Sequence, residues 1–218
     1  MRLQSAIFDM DGTLLDSMHI WDHLCCKVLR DWGYEPDESV NDKVLTMTMR
    51  EGAVYCKELF QIPKTVDEII DAMHDRVSDF YHHQVQAKPG VEKFLSLLKM
   101  EGVTMYIATN TERSLVEAAL KHAGIDQYFK GILTCAEVGQ GKKDSPEVYE
   151  RAMRRMQSNK RDTVIFEDAL HAIRTAKAAG FRVAAIYDPS AEADQAEIRA
   201  AADYYFHSFE ELFDSREL

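Results

Sequence analysis

The chain has 218 residues, 46% hydrophobic and 29% charged, enough to bury one substantial core and a smaller lobe. Its 26 basic and 37 acidic residues give a formal net charge of −11, which repels phosphate backbones and anionic lipid, so neither a nucleic acid nor a membrane surface is expected as partner. A small anionic substrate remains compatible with this charge, because a local site can have the opposite sign to the whole.

Four cysteines, Cys25, Cys26, Cys56 and Cys135, form no C-x-x-C pair and read as free thiols of a reducing compartment. The first residues enter a strand at once, without a charged leader and cleavage site, and no apolar run approaches a membrane span. A cytoplasmic protein is expected, and a monomer is compatible with this composition.

The first element is the apolar run Ala6-Ile7-Phe8, which delivers Asp9 and Asp11 into a turn marked by Gly12. It reads as a buried parallel strand ending in a catalytic or metal-binding loop, since unpaired buried carboxylates are costly and a hard cation such as Mg²⁺ would offset them. From Ser17 to Ala87 no buried strand is evident, only helix-length stretches at 17–32, 42–60 and 65–84, punctuated by Pro36 and Pro63. Some seventy residues far exceed an ordinary βαβ crossover, so this segment reads as an inserted helical lobe, and Lys88-Pro89-Gly90 marks the return to the main domain.

Further buried strands are expected at VTMYIAT (103–109), TVIFED (163–168) and RVAAIYD (182–188), with a weaker one at ADYYF (202–206). None shows polar alternation, as for strands covered on both faces. A helix over 111–123 places Leu115, Val116, Ala119, Leu120 and Ala123 on one face and stops at Gly124; another over 169–179 stops at Gly180. The alternation predicts an α/β, doubly wound parallel sheet. The predicted main domain is 1–16 plus 88–218, and the helical lobe is 17–87.

In such sheets the functional crevice lies outside the carboxyl ends of the strands. The first strand ends at Asp9 and Asp11, the next at Thr109-Asn110 and a later one at Glu167-Asp168, while Lys143 sits in the polar loop GQGKKDSP ahead of a helix beginning near Pro146. Phosphoryl transfer uses these parts: a cation and a lysine neutralise phosphate oxygens, and hydroxyl or N–H donors fix them. A carboxylate can attack phosphorus while a second acid protonates the leaving oxygen. Asp9 as nucleophile and Asp11 as general acid/base is a natural division of these two roles between the two acids.

These residues resemble the haloacid dehalogenase superfamily of phosphohydrolases, in the branch (subfamily IA) whose helical cap is inserted after the first motif, and the resemblance spans essentially the whole chain. The motif D-x-D-G-T-[LV]-x-D-S stands as Asp9-Met10-Asp11-Gly12-Thr13-Leu14-Leu15-Asp16-Ser17. Thr109, followed by Asn110, matches the second motif. Lys143, three residues before Pro146, matches the third, with Lys142 as competitor, and Glu167-Asp168 matches the fourth. The resemblance implies a Rossmann-like core with a helical cap. Asp9, the Asp11 carbonyl and Asp168 would hold Mg²⁺ with help from Glu167, and Thr109, Asn110 and Lys143 would bind phosphate. Dehalogenases lack the second aspartate, so Asp11 points to phosphate chemistry.

The implied activity is Mg²⁺-dependent hydrolysis of a small phosphorylated metabolite, such as a sugar phosphate, through an aspartyl-phosphate. A hexose-phosphate mutase of the β-phosphoglucomutase type is the alternative. Mutases often carry D-[ST]-x-E-x-H after the first motif, whereas this chain has Asp16-Ser17-Met18-His19-Ile20-Trp21. Arg50 resembles a cap arginine that contacts a distal phosphate; a solvated helix residue is its ordinary reading. A non-catalytic phosphoacceptor domain needs neither the lobe nor Asp11. Other signals fail: an EF-hand would place Leu14 and Ile20 at key loop positions, and the 139–143 loop lacks the glycines of nucleotide fingerprints. His19 and His23 share a helical face without the acid of a zinc H-E-x-x-H pattern.

Overall fold

The computed structural model describes residues 3–44, 47–140 and 143–214. By contact it divides into two compact units, Met1–Ser17 with Val85–Leu218, and Met18–Gln84.

The larger unit is a six-stranded parallel sheet. Its strands are β1 (Ser5–Phe8), β2 (Thr104–Thr109), β3 (Gly131–Thr134), β4 (Thr163–Glu167), β5 (Arg182–Ile186) and β6 (Tyr204–Phe206), in spatial order β3-β2-β1-β4-β5-β6. β1 lies between β2 and β4, with Phe8 in register with Ile107 on one side and Phe166 on the other. All four β1 residues are buried, which is why the sequence shows no alternation there. The period of two divides the core instead. Ile7, Ile165 and Val183 join Val148, Tyr149 and Ile173 on one face. Phe8 stacks on Phe166 at 4.5 Å, and Phe94, Phe129 and Phe209 close around that pair. Helices α5 (Val91–Met100), α6 (Arg113–His122), α7 (Glu147–Arg155), α8 (Leu170–Ala178), α9 (Gln195–Ala201) and α10 (Glu211–Asp214) complete this unit.

The edge strand β3 is absent from the sequence reading. It has four residues, begins with glycine, and its first two positions are only half-buried, so it lacks both the length and the hydrophobic run that mark the others. Gly131 is there because Tyr106 of β2 crosses it: a Cβ would collide with the phenol oxygen, to which Arg155 Nη1 donates at 3.2 Å. Gly131→Ala is expected to destabilise the protein by about 1–3 kcal/mol, read as a lower urea midpoint at unchanged m-value.

The smaller unit is helical: α1 (Leu24–Asp31), α2 (Glu38–Val44), α3 (Met49–Phe60) and α4 (Val66–His83). The expected stretch at 42–60 is two helices, because Thr48 and Glu51 form a capping box that starts a new one, as Thr65 and Glu68 do for α4. The stretch at 17–32 opens with a 3₁₀ turn at Met18–Ile20, and the left-handed backbone of His23 (φ 58°) delays α1 to Leu24. Cys25 and Cys56 meet at 3.1 Å in this unit, and all four cysteines are buried thiols. Val85 to Ala87 fall in the sheet unit because Asp16 N donates to Gln86 O, Lys88 N donates to Leu14 O, and Leu15 bridges Ala87. No helix among the described residues is long and apolar enough to cross a membrane.

Candidate active site

The three central strands β2, β1 and β4 end side by side, so their next residues converge. Asp9 follows β1, Thr109 ends β2, and Glu167 ends β4 with Asp168 after it. Asp9, Glu167 and Asp168 are buried, and their carboxylate oxygens lie within 4.8 Å of one another. Lys143 reaches this cluster from the loop before α7; its buried ammonium pairs with both Asp9 and Glu167. Lys142 lies outside the described residues.

Surrounding donors orient the acids. Tyr149 Oη donates to Glu167 at 3.0 Å, and the backbone N–H of Asp168 donates to the same carboxylate at 3.1 Å. Thr13 Oγ1 donates to Asp168 at 2.7 Å. Burial pushes the Asp9 carboxyl well above its usual range; Lys143 opposes the shift, while Glu167 and Asp168 add to it. Burial, then the neighbouring Glu167, lifts Asp168 to about 7. Burial also weighs on the Lys143 ammonium, but Asp9 and Glu167 outweigh it and hold its pKa above that of an ordinary lysine. Three carboxylates around one ammonium leave negative charge that burial makes costly.

Asp11 is held differently. Gly12 takes a left-handed turn (φ 76°) that glycine adopts without strain. Ser17 Oγ donates to Asp11 Oδ1 and Thr111 Oγ1 donates to Oδ2, each at 2.6 Å. Asp9 therefore pairs with the Lys143 ammonium, while each Asp11 carboxylate oxygen accepts from a hydroxyl. Thr109 is buried, and its hydroxyl accepts from the Thr111 N–H at 3.1 Å; Asn110 beside it is exposed. Arg50 sits in the first turn of α3, in the helical unit, where its exposed guanidinium pairs with Asp67 at 2.6 Å.

The sequence profile described as haloacid dehalogenase-like hydrolase matches residues 6–186. The chain belongs to that family. A phosphorylated carbohydrates phosphatase of Thermotoga maritima is 25% identical over 82% of this chain and 82% of its own length. Hexitol phosphatase B of Escherichia coli is also 25% identical, over 88% of this chain and 87% of its own. In structure, a Thermotoga maritima protein provisionally described as a β-phosphoglucomutase superposes with a TM-score of 0.86 at 22% identity. That alignment covers 99% of this chain and all of the other, and it establishes the shared fold.

Within this hydrolase fold the structure adds residues that sequence reasoning left without a role. Thr13 and Ser17 stood inside the first motif, and Thr111 stood at the start of the stretch read as a helix over 111–123. Lys88 stood in the K-P-G turn; its ammonium donates to the Gly12 carbonyl, donates to Tyr187 O at 2.9 Å, and pairs with Asp188 at 2.7 Å. Tyr149 carried no signal, being one more apolar-face position of α7. As a metal pocket, the Asp9, Glu167 and Asp168 group offers hard, anionic oxygens only, which fits a cation such as Mg²⁺.

Proposed function

We propose that this protein is a Mg²⁺-dependent phosphatase that hydrolyses a small phosphorylated metabolite, of the phosphorylated carbohydrate class, through an aspartyl-phosphate on Asp9. The observation that carries this reading is the pair of acids after β1: Asp9 buried against Lys143 beside Glu167 and Asp168, and Asp11 half-buried with a hydroxyl donating to each carboxylate oxygen. The names of the two 25%-identical phosphatases support the substrate class.

Asp9 would attack phosphorus, forming the aspartyl-phosphate bond as the ester P–O bond breaks. Asp11 would give its proton to the departing alkoxide, then take one from the water that cleaves the intermediate. Thr109, Asn110 and Lys143 are assigned to the phosphate oxygens. Asp9, Asp168 and the Asp11 carbonyl, with Glu167 assisting, would hold Mg²⁺, which when bound supplies charge neutralisation for the transferring phosphoryl group. The helical unit, residues 17–87 in the sequence reading, is assigned the role of a cap recognising the rest of the substrate, with Arg50 as its candidate phosphate contact.

The direct test is phosphate release from a panel of sugar and polyol phosphates, with Mg²⁺ and with EDTA. Mg²⁺-dependent release is expected. Conversion of β-glucose 1-phosphate to glucose 6-phosphate without release would identify a mutase, and silence on every ester would overturn both readings. Metal binding has its own readout. Mg²⁺ at a hundred times its dissociation constant should stabilise the fold by about 2.7 kcal/mol, raising the melting temperature, and Asp168→Asn should lose most of that shift. An equal melting temperature with Mg²⁺ and with EDTA would count against the metal assignment.

A further inference from the structure

We propose that Thr111 is a positioning residue for Asp11, holding the proton-donating carboxyl in the orientation from which it serves the leaving group; this rests on the phosphatase reading above. Asp11 opens the turn after β1 rather than lying in the strand, and it is only half-buried. Burial that locks Asp9, Glu167 and Asp168 does less for it, so its orientation depends more on hydrogen bonds. A carboxylate held by one oxygen can swing about that contact. Two donors on opposite oxygens remove the swing, and here Ser17 takes Oδ1 and Thr111 takes Oδ2. At 2.6 Å both lie in the range of short, charge-assisted O–H···O bonds.

The two donors differ in origin. Ser17 is six residues from Asp11 on the same loop and moves with it. Thr111 comes from the turn between β2 and α6, a hundred residues away. Its backbone N–H is fixed in turn by the buried Thr109 hydroxyl at 3.1 Å. The Thr111 contact therefore references the Asp11 carboxyl to the sheet itself, and to the hydroxyl assigned to phosphate. A misplacement of about 1 Å in a reacting group can cost a hundredfold in rate.

The consequence is selective. Breaking the P–O bond of an alkyl phosphate needs a proton from Asp11, because an alkoxide is a poor leaving group. Breaking that of p-nitrophenyl phosphate does not, because p-nitrophenolate leaves unprotonated. The readout is kcat/KM, which covers only the steps through departure of the alcohol or phenol, on glucose 6-phosphate or the best alkyl phosphate of the panel and on p-nitrophenyl phosphate. Thr111→Val is expected to lower kcat/KM about 10–100-fold on the alkyl ester and less than threefold on the aryl ester. Thr111→Ser, which keeps the hydroxyl, is expected to recover most of the loss.

An equal fall on both esters would mean a merely structural role and overturn the proposal. So would a rise in KM alone, which would make Thr111 a substrate contact, or no change on either ester. Far-UV circular dichroism and the melting temperature of the nearly isosteric Thr111→Val exclude misfolding as the cause, and Thr111→Ser tests the same point by keeping the hydroxyl without the methyl group. The phosphatase reading fails separately, if the wild-type protein releases phosphate from no ester.

Discussion

Asp9→Asn is expected to lower kcat by a factor on the order of 10⁴ or more while the fold survives. The amide is nearly isosteric, so packing at the end of β1 is kept, but it offers no anionic oxygen to attack phosphorus. Misfolding is not the expected cause. Burial disfavours a charged Asp9, and Lys143 keeps Glu167 as a partner when the Asp9 charge is removed. The variant's melting temperature in EDTA should stay within a few degrees of wild type.

Asp11→Asn provides the contrast. General acid/base catalysis is worth roughly 10²–10⁴-fold, so this variant should be slow on alkyl phosphates but still open p-nitrophenyl phosphate. With its water-activating base gone it should show a burst of one p-nitrophenolate per active site. Substantial turnover by Asp9→Asn would remove the nucleophile assignment. A burst in Asp11→Asn and none in Asp9→Asn would place the intermediate on Asp9.

The sheet was legible where burial is two-sided. Ser5–Phe8, Thr104–Thr109, Thr163–Glu167 and Arg182–Ile186 are short apolar runs with chemistry-bearing residues at their ends, and a parallel sheet puts those ends on one edge. β3 was not legible, because an edge strand needs no continuous apolar run. Within the helical unit, composition marked helix but not its interruptions. The T-x-x-E pattern at 48–51 was available in the sequence as a helix start, whereas nothing local announces the left-handed His23.

The same distinction holds at the site. A motif concentrates charged groups that announce themselves by type and spacing, as Asp9, Asp11, Lys143 and Glu167-Asp168 do. The groups that orient them, Thr111, Tyr149 and Lys88, are contributed by distant segments, and a threonine or tyrosine in a loop or helix is commonplace. Their roles arise from chain closure: 100 residues separate Asp11 from Thr111, and 99 separate Lys88 from Tyr187. Sequence spacing carries no trace of contacts made at that range.

Lys88→Met is expected to cost about 3–5 kcal/mol, the usual penalty for leaving a buried charge without its partner. That is a large share of a total stability of roughly 5–15 kcal/mol. The Asp188 side chain is 3% exposed and that of Lys88 is 13% exposed. Burial pushes the Asp188 carboxyl upward, but its bonds to Lys88 and to Ser190 outweigh burial and leave it below the usual carboxylate range. A folded-state pKa below the unfolded one stabilises the protein at neutral pH, and the contribution disappears as the pH falls through the carboxylate range.

The gap between wild type and Lys88→Met, measured by urea unfolding, should therefore be widest near pH 7 and narrow in acid. Lys88→Met/Asp188→Asn should recover part of the loss, because it removes the stranded charge. A loss below 1 kcal/mol at pH 7, or a gap that does not shrink in acid, would show that the ion pair is not what Lys88 contributes. The same ammonium also joins the Gly12 carbonyl to the end of β5 through Tyr187 O, so it anchors the turn that carries Asp11. The double variant restores charge balance but not this anchor. Its kcat on alkyl phosphates should stay low even where its stability recovers, separating what Lys88 does for the fold from what it does for the catalytic turn.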